Sequence, residues 1–374
     1  MKKIHFFLLL LFLCVGLVGC AETNLLERVG LATLIGYDFG KEEVVETTAV
    51  VRQVSTELQS KVAVITAEND TSQGTRAKIN RRAAKKIMSG QLRGGLFGEE
   101  FAKAGIGHYI DTFLKNPAIS GGMLFAVVEG ETRPLLEYQY PNIDDIGEHI
   151  YNLLKQNIDN EQVVSSALHE LAHDYYSIGR DIALPIIKRE EELLEISGIA
   201  LFKKDKMVGK LPVEDSFYVK LSRDDYHAGT YELKIKGDDL PSSLMKNPPD
   251  EISLVFDPIK THKDVKLVNP TTPEFNLHLS VQARILEIKP NINAGEAKNT
   301  EKLEKAISKS LSSEISRVIA YCQKIDSDVF GYGDHYRSSV RHSKLTEEKW
   351  HELYKKMKVN VDVDFTLLRS GVFE

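Results

Sequence analysis

The sequence predicts an α+β (mixed α/β), multidomain protein with mixed or antiparallel sheets packed against amphipathic helices. Three stretches carry that expectation. Phe275, Leu277, Leu279, Val281, Ala283 and Ile285 alternate with polar residues, the period-two mark of a strand with one buried face. Leu303, Ile307, Leu311, Ile315, Ile319 and Cys322 form one stripe of a helix over Thr300–Cys322. Met123-Leu124-Phe125-Ala126-Val127-Val128 is continuously apolar, as in a strand covered on both faces.

The remaining elements follow from the same patterns. Arg28–Tyr37, Glu43–Val54 and Lys61–Ala67 read as strands, the second rich in Val. Ile79, Ala83 and Ile87 predict an amphipathic helix over Arg76–Met88. Glu99–Ala104 and His108–Leu114 read as short helices divided by Gly105-Ile106-Gly107, and Ile143–Gln156 and Glu161–Tyr176 as longer ones. Gly179 and Pro185 interrupt the chain there, so the best single cut lies near residues 180–196. Beyond it, Ile196–Phe202, Ser216–Leu221, Thr230–Lys236 and Glu251–Phe256 are strand-like. Trp350 falls in a short helix, and Val359, Val361, Val363 and Phe365 alternate through a final strand.

The amino terminus is expected to be a lipoprotein signal peptide, residues 1–19. Lys2 and Lys3 precede an apolar run from Ile4 to Val18, too short to span a bilayer. The run closes on Leu17-Val18-Gly19-Cys20, where small residues before a Cys suit a lipoprotein signal peptidase and the Cys20 thiol is the lipidation site. Two acyl chains, at about 0.8 kcal/mol per buried methylene, make a lasting anchor. The body beyond is divided into 20–195 and 196–374. Cys14 leaves with the signal and Cys20 is acylated, so Cys322 has no partner and reads as a small core hydrophobe. A net charge of −6 argues against a nucleic-acid partner.

Two features suggest contacts or chemistry. The 76–88 segment is basic, with Arg81, Arg82 and Lys85 among its cations. It is a candidate contact for anionic lipid or an acidic partner, each cation near such a surface contributing about 1 kcal/mol; the alternative is a solvated helix face. His169-Glu170-Leu171-Ala172-His173 is a literal H-E-x-x-H, which on a helix sets two His one turn apart to bind zinc, with Glu170 activating a metal-bound water. A catalytic zinc needs a third ligand, and the residues directly after the motif contain no third His. A Gly-rich phosphate loop, a nucleophile elbow and a CxxC pair are all missing. The expectation is therefore no catalytic residues, no metal and no cofactor.

Five stretches, taken in order, resemble the Ger(x)C family, the lipoprotein C subunits of bacterial spore germinant receptors. They are Cys20 with the Gly36-Tyr37-Asp38 strand; Gly98–Ile106 running into Tyr109–Pro117; Gly179-Arg180-Asp181-Ile182-Ala183-Leu184-Pro185; Ser197–Leu211; and Asp326-Ser327-Asp328-Val329-Phe330-Gly331-Tyr332-Gly333 followed by Trp350 and the last strand. After Cys20 the chain has Ala21-Glu22 where family members commonly have Trp-Asp, which puts any role of that dipeptide in doubt. The resemblance implies a non-catalytic subunit at the outer face of the spore inner membrane, assembled with integral-membrane A and B subunits. Phe330 and Tyr332 are then a candidate exposed partner-contact loop; the alternative is a turn in which Gly331 or Gly333 takes φ > 0 and the aromatics cap the core. A solute-binding lipoprotein of a transporter is the other functional class, and it requires two similar lobes around a cleft.

Overall fold

The computed structural model describes residues 28–53, 61–224, 229–240, 242, 244–245, 247–290, 292 and 297–368. Cys20 and the terminal valine of the predicted Glu43–Val54 strand lie outside the described residues. No helix among the described residues is long and apolar enough to cross a membrane.

The chain opens with an antiparallel meander of β1 (Val29–Phe39), β2 (Val45–Gln53) and β3 (Lys61–Asn69). Helix α1 (Ser72–Arg82) and the short β4 (Lys86–Met88) return the chain parallel to β1. Then come β5 (Gly94–Gly98), α2 (Glu99–Ala104), α3 (Gly107–Leu114), β6 (Leu124–Val128), α4 (Thr132–Glu137), α5 (Ile146–Asp159) and α6 (Leu168–Tyr176). β7 (Ala183–Glu190), β8 (Leu193–Lys203) and β9 (Lys206–Pro212) complete a nine-stranded sheet. Its order is β3-β2-β1-β5-β6-β7-β8-β9, with β4 beside β1. The centre, β1-β5-β6-β7, is parallel, and both flanks are antiparallel.

This sheet is covered on both faces, which is why the Met123–Val128 run is continuously apolar. Phe125 and Val127 point into a core with Phe101, Ile110 and Phe113 of α2 and α3. Leu124, Ala126 and Val128 point the other way, onto Leu135, Ile150 and Leu154 of α4 and α5. Strand side chains alternate between faces, so a two-sided strand has no polar positions to spare.

The second unit begins with α7 (Ser216–Arg223) and a four-stranded sheet. β10 (Tyr231–Lys236), β11 (Glu251–Asn269) and β12 (Glu274–Lys289) form an antiparallel meander. The long helix α8 (Ala297–Lys324), α9 (Tyr332–Ser339) and α10 (Glu347–Tyr354) precede β13 (Lys358–Leu367), which lies parallel to β12. Leu303, Ile307, Leu311 and Ile315 of α8 are fully buried against Phe275, Leu277, Leu279 and Val281 of β12, as the two periodicities predict. Cys322 is buried in that core, and burial pushes its thiol well above the ordinary range. The α+β expectation stands.

The sheet continues past the expected boundary. A cut between residues 195 and 196 passes through β8, and the sheet runs on to Pro212. Ala183, Ile199, Leu201 and Leu211 of the first sheet share one apolar cluster with α8 and β12, so the second unit packs directly on the first. Pro185, read as an interruption, sits within β7, whose ladder to β6 involves only Ile186 and Ile187; its missing N–H therefore breaks no bond on that side.

Local readings also change. The basic helix spans Ser72–Arg82 rather than 76–88, capped by Thr71, whose hydroxyl accepts from Gly74 N. Ile79 and Ile87 do meet in one small cluster, but Ile87 arrives on β4. The helix expected from Glu161 starts at Leu168, because Ala167 bridges to Leu124 in extended form. Ser216–Leu221 is helix, not strand: all eight residues of α7 are buried, which erases the helical period.

Ile307→Ala is expected to lower stability by about 2–5 kcal/mol, the usual range for emptying a buried Ile site. Urea unfolding of the purified chain measures it.

Candidate functional site

The predicted site residues separate in space. His169, Glu170 and His173 lie on the exposed side of α6. His169 Nδ1 is 3.0 Å from Gly121 O, and His173 Nδ1 is 3.2 Å from Asp174 Oδ1. Both imidazoles are engaged locally, and among the described residues no three His, Cys, Asp or Glu side chains converge as a metal-holding set.

The basic helix does not present a single cationic face. Lys78 Nζ donates to Glu68 O at 2.7 Å, and Arg82 donates to Thr66 O, so both turn back onto β3. Arg81 stays exposed, and Lys85 is half-buried beyond the helix end.

Phe330 and Tyr332 are each only 2% exposed, so the exposed-loop expectation is overturned. Gly331 takes φ 79° immediately before α9. That left-handed turn drives Tyr332 onto Phe275 and Phe330 inside the second core. The segment is architectural.

Around it three of the five stretches that carried the family resemblance, residues 179–185, 197–211 and 326–333 with Trp350, are hydrogen-bonded to one another. The Asp328 carboxylate accepts four N–H bonds: Gly331 N at 3.0 Å and Tyr332 N at 3.1 Å on Oδ1, Gly333 N and Trp350 Nε1 at 2.9 Å on Oδ2. Across the boundary, Asp181 accepts from Lys204 N and from Asp328 N, both at 2.7 Å, while Asp181 N donates to Asp328 O at 2.9 Å. Ser327 Oγ donates to Phe202 O, and Tyr354 donates its hydroxyl to Ser327 O. Asp326 holds Lys203 at 2.6 Å, His351 at 2.9 Å and Lys355 at 3.2 Å.

Glycine makes this approach possible. A Cβ on Gly179 would lie 2.2 Å from Asp334 N and from Gly333 C, both backbone atoms that have nowhere to go. Nearby, Arg223 and Asp174 form a salt bridge at 2.7 Å, each side chain only 5% exposed.

Residues 22–189 match the family described as the spore germination protein N-terminal domain. Residues 197–371 match the one described as spore germination B3/GerAC like, C-terminal. The chain belongs to the Ger(x)C family. It is similar along nearly its whole length to Spore germination protein GerQC of Bacillus cereus, at 28% identity over 98% of this chain and 99% of that protein. The Putative spore germination protein YfkR of Bacillus subtilis (strain 168) is 22% identical over 99% and 98% of the two chains. The fold matches the crystal structure of the GerBC protein, with a TM-score of 0.53 at 14% identity, covering 90% of this chain and 97% of that one.

Within this Ger(x)C protein, the span between the two matched regions contains the tight turn between β7 and β8. The sequence divides at a turn inside the sheet, whereas the polar junction ties the two regions together. Sequence reading missed Asp181, Asp326, Asp328 and His351 as a cluster. The signal available was Asp326-Ser327-Asp328 set just before a Gly-x-Gly turn.

Burial pushes the Asp328 carboxyl up to about 7, against the pull of its N–H donors. Asp181 is likewise raised by burial. Asp326 goes the other way: although burial raises it, Lys203 and His351 bring it below the ordinary range.

Two outcomes are expected here. Asp328→Ala strands four buried N–H donors and should cost about 3–5 kcal/mol, read by urea unfolding followed by circular dichroism. A carboxyl raised in the folded state makes that state bind more protons. Its contribution to stability is complete below the ordinary aspartate range and is lost as pH rises toward about 7. Relative to Asp328→Asn, the unmodified chain should therefore lose stability between pH 4 and 7, measured as unfolding midpoints at several pH values.

Proposed function

We propose that this protein is the non-catalytic, lipid-anchored C subunit of a spore germinant receptor, acting in nutrient-triggered germination at the outer face of the spore inner membrane. The observation that carries the reading is the end-to-end family match, which begins at residue 22, two residues after Cys20. The matched body thus starts where a chain processed at Cys20 would start. Integral-membrane A and B subunits are the expected partners, and the lipid on Cys20 raises the effective concentration of the body beside them. The mode of action is docking. The Asp181–Asp328 cluster spends its carboxylates on protein donors, which fits a rigid scaffold rather than a reaction centre.

The transporter-type alternative is weaker on architecture. Solute-binding lobes are alike and enclose a cleft, whereas here a nine-stranded mixed sheet adjoins a four-stranded sheet with one long helix.

Cys20→Ala should move the protein from the membrane to the aqueous fraction of spore extracts and slow nutrient-triggered germination several-fold. Immunoblotting of fractions and the optical-density fall of germinating spores measure the two effects. Normal membrane retention of Cys20→Ala, or undiminished germination from a released protein, would contradict the proposal.

A further inference from the structure

Between α1 and α3, over β1 and β4, the first sheet carries a two-part pocket. An open groove of about 740 Å³ leads to an inner chamber of about 90 Å³. Gln73, Arg76, Ser89, Thr112 and Asn116 line both parts and so form the neck. The chamber beyond is walled largely by apolar groups, among them Ile35, Tyr37, Ala49, Ile79 and Phe113. His108 and Lys115 add positive or ionisable groups to the outer groove, and no described Asp or Glu lines either part.

Two groups set the polarity of the pocket. Arg76 is exposed at the neck and pairs with no carboxylate among the described residues, whereas Lys78 and Arg82 of the same helix are tied to backbone carbonyls. Tyr37, 4% exposed, lines the chamber. Burial, then Tyr109, keeps that phenol protonated, and Arg76 lines the same chamber. An apolar recess with a few convergent polar groups is the usual form of a small-molecule site.

We propose that this pocket binds a small aliphatic monocarboxylate. The carboxylate sits at the neck on Arg76, with the Tyr37 hydroxyl as a neutral donor, and the short hydrocarbon arm lies against Ile79 and Phe113. A guanidinium–carboxylate pair at the edge of an apolar recess is a strong, oriented contact. A free amino acid fits poorly, because its ammonium would face Arg76 and Lys115 without a carboxylate to receive it. A lipid acyl chain is too long for the chamber. The site goes beyond the receptor-subunit reading and does not depend on the Cys20 anchor.

The test uses the full chain in phosphatidylcholine nanodiscs, with 3-methylbutanoate as the probe followed by saturation-transfer NMR. Binding should be at least tenfold tighter than that of the neutral 3-methylbutanamide and of acetate, and octanoate should gain nothing further. Arg76→Gln should remove the preference for the acid over the amide, while Lys356→Gln, a distant change of equal charge, leaves it intact. An unchanged melting temperature of Arg76→Gln shows that the fold is kept. Equal binding of acid and amide, or binding indifferent to Arg76, would overturn the proposal. So would Arg76-dependent binding of phosphatidylglycerol nanodiscs with no binding of the free acid, because the occupant would then be a lipid headgroup. Since none of these readouts involves germination, failure here leaves the Cys20 experiment unaffected.

Discussion

Two buried aspartates facing each other across the boundary set the terms for the rest of this structure. Asp181 and Asp328 exchange carboxylate and backbone bonds, and Asp328 also gathers three amides of its own turn and the Trp350 indole. A carboxylate out of water is costly unless its oxygens are met by donors, so each must find them in the folded chain alone. Asp328 finds its donors within its own unit, whereas Asp181 gains the Asp328 N–H only when the two sheets dock. The polar bonds thereby select one relative placement of the two sheets, while the shared apolar cluster of Ile199, Leu201 and Leu211 with α8 and β12 supplies most of the driving force.

That division of labour explains why the Gly-rich segments are where they are. Gly179 must let Gly333 and Asp334 approach to within a distance no side chain tolerates. Gly331 must take a positive φ so that three successive amides turn inward on Asp328. The aromatics in this segment fill the space behind the turn. A subunit that works by docking benefits from such a device, because a surface built from both regions holds its shape only if the regions do not move against each other.

Most of the fold was legible from periodicity, since β12 and α8 each bury one face and expose the other. The failures share a physical cause. Where burial is complete on all sides, as in α7, no period survives, and β-branched and aromatic residues then read as strand. Where a stripe continues across a break, as from Ile79 to Ile87, helix and strand deliver apolar groups to the same place and the pattern alone cannot divide them. The candidate site was harder to read. Phe330 and Tyr332, flanked by glycines, look like an exposed loop until Asp328 is seen to pull that loop inward. Polar residues are expected at the surface, so a set of buried acids separated by well over a hundred positions leaves no local trace. Arg76, Tyr37 and Phe113 come together for the same nonlocal reason, through the pairing of β1 with β4 and the placing of α1 and α3 on either side.

If the aspartate junction makes the two regions one cooperative unit, they must unfold together. The direct measurement is urea unfolding of the purified chain followed by two probes: fluorescence of Trp350, the single tryptophan, and hydrogen exchange at the β5 and β6 amides of Leu96 and Val127. One common midpoint is the predicted result. Two separated midpoints, with the Trp350 region melting while β5 and β6 stay protected, would contradict it.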